Sequence, residues 1–199
     1  MTVWAYKISR DYGFAPNPYF GYCTIACCKP DIRRKAAVGD LIIGCGSSKL
    51  YLVGRVIFAM RVAERLTFDE YWNDERFERK KPVFTAGKAR AYGDNIYHQN
   101  EPGIWVQEDS HHSLDGGGKN ALNAARDLGA DAVLVGTDFA YWGSSAAEIP
   151  PVLRNFEGDD LYPNVRNFRN GYSDALQAAA IAWFDAGPKG RIGRPVNWK

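Results

Sequence analysis

Two strand-length apolar runs joined by a short polar loop constrain this chain more than any other feature. Leu41-Ile42-Ile43-Gly44 and residues 51–62 have the apolar, β-branched and aromatic content of buried strands, and the small residues 45–49 between them suit a turn. A β-hairpin is predicted. Residues 3–8 alternate as a strand, residues 22–28 suit a second, and residues 104–108 and 132–135 supply two more. Helical signals are fewer. Thr67 with Glu70 three positions on has the pattern of a capping box ahead of residues 68–77, with Tyr71 and Trp72 expected inward. Residues 120–128 run to a stop at Gly129, and Ser173 opens an Ala-rich run ended by Gly187-Pro188. Residues 32–38 have the length of one or two helical turns. Strands outnumber helices and come in runs without β-α-β alternation, which predicts an α+β fold on a mostly antiparallel, barrel-like sheet with a few peripheral helices. A doubly wound nucleotide fold is disfavoured.

Charge narrows the partners. Twenty-five Lys and Arg against 23 Asp and Glu leave +2, so the molecule as a whole is not a polyelectrolyte ligand for nucleic acid. Attraction to phosphate would have to be local, and three basic islands offer it: Arg33-Arg34-Lys35; Arg79-Lys80-Lys81 with Lys88 and Arg90; and Lys189, Arg191, Arg194 and Lys199. The N-terminus lacks a secretory h-region and no run approaches the length of a spanning helix, so a cytoplasmic location and no membrane partner are expected. Cys23, Cys27, Cys28 and Cys45 contain no Cys-x-x-Cys pair, which speaks against a disulfide framework and a zinc ribbon and predicts reduced thiols. The expected organisation is a domain over residues 1–150 and a helical extension over 151–199 packed on it, with a loosely held tail. Oligomeric state is not readable.

The candidate chemistry gathers in two stretches. All three histidines fall between positions 98 and 112, two of them in Gln107-Glu108-Asp109-Ser110-His111-His112-Ser113. If the preceding strand continues, Trp105, Gln107, Asp109 and His111 share one face, and Glu108, Ser110 and His112 the other. Asp109 would then orient His111 for general acid or base work, with His112, His98 or Glu108 assisting. The plainer reading is a polar turn satisfying its own backbone. Adjacent histidines point apart on a strand and no His-Glu-x-x-His is present, so no metal and no cofactor are predicted. The second stretch is the opening loop. Arg10, Asp11, Tyr12, Phe14 and Asn17 combine rings that can stack on a base with polar groups that can read its edge. Gly44-Cys45-Gly46-Ser47-Ser48-Lys49 lacks both nucleotide fingerprints and reads as a turn, from which Lys49 and backbone N–H groups could hold one anion.

Several ordered motifs carry a resemblance. Arg10-Asp11-Tyr12-Gly13-Phe14-Ala15-Pro16-Asn17-Pro18, Cys27-Cys28-Lys29-Pro30, Gly39-Asp40-Leu41-Ile42-Ile43-Gly44, Phe68-Asp69-Glu70-Tyr71-Trp72 and the Gln107 to Ser113 run resemble the nucleotide modification associated domain 2 family of bacteria and phages, over residues 6–150. Residues 38–64 also resemble the Gly-Asp turn and strand of PUA-like barrels, some of which seat a modified base. The resemblance implies a setting in nucleic-acid modification or phage defence. The leading expectation is a base- or nucleotide-binding domain, able to touch nucleic acid through its basic islands. The alternative is a hydrolase or transferase acting on a nucleotide or modified base through His111 and Asp109.

Overall fold

A computed structural model describes residues 1–198. The chain gathers into two compact units that interleave in sequence: residues 1–12, 36–63 and 136 onward form the first, and Gly13–Lys35 with Glu64–Val135 the second.

The first unit is built on a seven-stranded sheet. Its order runs Phe168–Arg169, Val3–Ile8, Leu41–Gly46, Arg55–Arg61, Phe139–Tyr141 and Gly190–Arg191, with Ala147–Glu148 pairing beside Arg55–Arg61. Val3–Ile8 lies parallel to Leu41–Gly46, Gly190–Arg191 lies parallel to Phe139–Tyr141, and the other ladders are antiparallel. Every residue of Leu41–Gly46 is buried, which is why that stretch reads as an unbroken apolar run instead of an alternating one. The hairpin with Arg55–Arg61 is present, and its ladder shifts register between Gly44 and Cys45. A side chain at Gly44 would displace the buried Phe58 and Ile8 side chains, because a Cβ would fall 2.2 Å from the Phe58 ring. The second arm starts at Arg55 instead of residue 51, since Ser48–Leu50 forms a 3-10 turn and Tyr51 and Gly54 take φ of 57° and 76°. Lys49 sits exposed on that turn.

The barrel expectation is corrected: among the described residues none of the sheets closes. Parallel pairing of Val3–Ile8 with Leu41–Gly46 breaks the consecutive antiparallel winding, and the sheet ends on two-residue strands at both edges. The architecture is α+β with several mostly antiparallel sheets and few helices. Helix Asp174–Ala186, capped by Ser173, sinks Leu176, Ala180 and Phe184 into the first unit's core, four residues apart along one face. The tail beyond it is tied down. Asp11, 2% exposed, accepts hydrogen bonds from the Tyr141 hydroxyl at 2.7 Å and the Val196 N–H at 3.0 Å, and the Trp198 indole N–H donates to the Tyr12 carbonyl.

The second unit holds a three-stranded sheet in the order Cys23–Ile25, Val133–Gly136, Glu64–Leu66, and a hairpin of Tyr97–Glu101 with Ile104–Gln107. Thr67 and Glu70 form the expected capping box, but the helix runs only Phe68–Asn73. Asp74 leaves helical geometry and caps a separate 3-10 turn, Glu75–Lys80. Tyr71 is buried, while Trp72 stays partly exposed. Phe14, Phe68, Tyr71, Phe77 and Tyr97 make an aromatic core. No helix among the described residues is long and apolar enough to cross a membrane.

Candidate functional site

In the second unit, the chain leaves strand Cys23–Ile25 and enters the short helix Pro30–Lys35 through two consecutive non-glycine residues in the left-handed region, Cys28 at φ 60° and Lys29 at φ 43°. Such conformations cost about 1–3 kcal/mol each and persist only where the surroundings hold them. Arg33 does the holding. Its fully buried guanidinium donates to the carbonyls of Cys28 at 2.8 Å, Asp127 at 2.5 Å, and Ala130 and Ala132 at 2.7 Å each.

Asp127, at the end of helix Ala121–Asp127, is fully buried and saturated. One carboxylate oxygen accepts the Cys28 N–H at 2.8 Å; the other accepts the Tyr97 hydroxyl at 3.0 Å and lies 2.6 Å from His112 Nδ1. That contact places the imidazole proton on Nδ1 and turns Nε2 toward the Cys28 thiol, 3.6 Å away. The residues before and after His112 fix its turn. Ser113 Oγ accepts the Ser110 N–H, and the His112 carbonyl accepts from Asn123 and Gln107. The Phe14 ring lies 4.6 Å from the His112 ring and 5.4 Å from His111, which also meets Tyr92 at 5.3 Å.

Electrostatics follow the geometry. Burial opposes charge on His112, but the hydrogen bonds to Asp127 and Cys28 outweigh it and push its pKa up to about 9. Burial likewise opposes charge on Asp127, and His112, the Cys28 N–H and Arg33 together hold its carboxyl below the ordinary value. The neighbouring Cys27 is fully buried, and that burial drives its thiol far up. Cys27 Sγ, a His112 nitrogen and an Asp127 oxygen lie within 4.8 Å of one another, a donor set that would suit a metal by type, although Asp127 and His112 spend their facing atoms on each other.

Beside this centre an open pocket of about 430 Å³ is lined by Asp109, Ser110, His111, Ser113, Asp115 and their neighbours. Asp109 and His111 therefore share a pocket. The expected extended strand ends at Gln107, however, and Asp109 Oδ1 accepts the Gly118 N–H at 2.6 Å. His98 pairs with Glu108 at 2.8 Å and stacks on Trp72 at 4.1 Å, and Lys81 Nζ lies 4.1 Å from the centre of the Trp72 ring. Trp105 packs edge-on against Phe68. The opening loop is divided between units: Arg10, Asp11 and Tyr12 belong to the first, Phe14 and Asn17 to the second. Asn17 is buried, taking Lys80 Nζ at 2.7 Å on its side-chain oxygen and donating to the Tyr92 carbonyl.

The basic islands thin out. Lys80 and Arg33 are fully buried and cannot meet a phosphate chain, Lys189 and Lys81 are paired with Asp138 and Glu78, and Lys199 lies outside the described residues. Sequence reasoning missed Cys28, Asp127, Tyr97 and Arg33 as members of the centre. The available signals were the Cys27-Cys28-Lys29-Pro30 motif and a carboxylate three residues after Ala124, a spacing that puts Ala124 and Asp127 on one side of a helix.

Fold and site together define an α+β protein with a thiol, an imidazole and a buried carboxylate in hydrogen-bonded series. The chain belongs to the nucleotide modification associated domain 2 family, whose model matches residues 1–199 and so includes the segment after position 150. No curated protein and no solved structure matches it. The family's description ties the chain to nucleotide modification systems.

Proposed function

We propose that this is a cytoplasmic, base- or nucleotide-binding domain of a nucleic-acid modification or phage-defence system, with its ligand seated in the pocket beside His111. The observation that carries the reading is the pocket itself. It sets the carboxylates of Asp109 and Asp115 and the imidazole of His111 around a volume suited to a small ligand, on a chain whose family is named for nucleotide modification. No Lys or Arg lines it, so it favours the amino and hydroxyl groups of a base or nucleoside over phosphate. His111, exposed and edge-on to Phe14 and Tyr92, is positioned to stack or to donate.

Thermal-shift measurements across nucleosides, nucleotides and modified bases test this. A ligand at one hundred times its Kd should stabilise the protein by about 2.7 kcal/mol, and the gain should vanish in His111→Ala. Absence of any shift across the panel, or an equal shift in the variant, removes the pocket from the function.

A further inference from the structure

We propose that Cys28, His112 and Asp127 form a nucleophilic centre for acyl transfer, acting on an amide or ester carbonyl. Nothing in the ligand-binding reading requires this centre, and it stands on a different observation. The three functional groups are in series: Asp127 Oδ2 is 2.6 Å from His112 Nδ1, and His112 Nε2 is 3.6 Å from Cys28 Sγ. A base oriented by a third group, facing a nucleophile, is the arrangement that covalent catalysis uses.

Three further features separate it from a chance contact. The nucleophile sits on a strained turn, with two successive residues at positive φ, and Arg33 clamps both that turn and the Asp127 backbone from behind. Asp127 spends its other oxygen on the Cys28 N–H and so fixes the thiol's residue and the imidazole at once. Cys28 is the single partly exposed thiol of four; Cys23, Cys27 and Cys45 show no exposed surface.

The step balances with water as the only co-reactant. In the reactive form His112 Nε2 already holds the Cys28 proton, and the sulfur forms a bond to the carbonyl carbon as the carbonyl π pair moves onto oxygen. Collapse of that oxyanion breaks the bond to the amine or alcohol, which leaves with the proton from His112. Water then gives its proton to Nε2 and its oxygen to the thioester carbon. The carboxylic acid departs, and the thiol regains its hydrogen. Cys28 and His112 are the catalytic residues, and Asp127 and Arg33 are positioning residues.

p-Nitrophenyl acetate, which needs no fitted pocket, is the probe for the full-length chain. The expected result is a burst of one nitrophenolate per chain, an acetyl group found on the Cys28 peptide by mass spectrometry, and reaction about a hundredfold faster than with glutathione at the same pH. Cys28→Ser should abolish the burst, and His112→Gln, its fold checked by circular dichroism, should slow it by about the same factor. Wild-type acylation no faster than glutathione overturns the proposal whatever the variants do, as does equal acylation in folded His112→Gln. One tightly bound zinc per chain that shields Cys28 until chelated overturns it too, by assigning Cys27, His112 and Asp127 to a metal. Because the probe bypasses the His111 pocket, a negative thermal-shift panel and a negative acylation assay are separate failures.

Discussion

Two buried carboxylates in the second unit, Asp94 and Asp127, show how the same chemical group comes to serve different ends. Asp94 accepts from the hydroxyls of Thr24 at 2.6 Å and Tyr71 at 2.8 Å, near a Lys80 ammonium that is itself enclosed by Asn17, Tyr22 and Thr24 oxygens. All of these partners except Tyr22 are buried. Burial pushes the Asp94 carboxyl up, and it pushes Lys80 down to about 8, so this cluster holds charge reluctantly. Asp127 is equally enclosed but has an imidazole among its partners. That ring carries the carboxylate's influence outward to a thiol with access to solvent. A closed network fixes a core, whereas one with a single outlet toward solvent supports chemistry.

The contrast can be broken at several points. The largest effect should come from Lys80→Met, which leaves the oxygens of Asn17, Tyr22 and Thr24 without their shared donor beside a buried carboxylate. A loss of about 3–5 kcal/mol in urea unfolding is expected, with no change in Cys28 acylation beyond what unfolding explains. A cost below 1 kcal/mol would mean the cluster is not a structural centre. His112→Gln comes next, at about 2 kcal/mol near pH 6. His112 has a folded pKa raised to about 9. Its contribution is therefore complete below the unfolded value near 6.5 and disappears as pH rises through about 9. Chemical denaturation of wild type and variant at pH 6 and pH 10 should show the two curves converging; a gap independent of pH would show that the pairing with Asp127 is not what stabilises. The smallest effect is expected for Tyr97→Phe, which removes one of the Asp127 donors and should cost about 1 kcal/mol, with a small change in the His112 titration. Urea unfolding reads the cost, and histidine titration by NMR reads the change at His112. An unmoved His112 together with unmoved stability would take Tyr97 out of the network.

Local signals in the sequence translated well into elements. Strand Val3–Ile8, the hairpin arms, the Thr67–Glu70 capping box and the Ser173 cap each depend on residues within a few positions of one another, and each is present. The sheet's order was not legible in the same way. Val3–Ile8 chooses Leu41–Gly46 as a parallel partner across more than thirty residues, and no local pattern announces such a choice. The site divides along the same line. Histidine crowding marks a segment that meets the opening loop, since the His112 and Phe14 rings are in contact. Strand alternation offers Asp109 as the group that orients His111, yet the strand stops at Gln107 and Asp109 takes the Gly118 N–H. The carboxylate that holds His112 is Asp127, fifteen residues after it, and the thiol lies 84 residues before it. Lys80 was misread for a related reason: a charge run looks solvated until the 3-10 turn Glu75–Lys80 rotates one of its members into the core.

The interleaving of the two units has a consequence for how the chain is made. On the ribosome, every residue of the second unit has been synthesised by position 135, while the first still lacks Tyr141, the helix Asp174–Ala186 and the Val196 amide that Asp11 needs. The thiol-bearing unit can thus mature early, and the sheet that begins with Val3 must keep its opening strands waiting until residue 196 has been made.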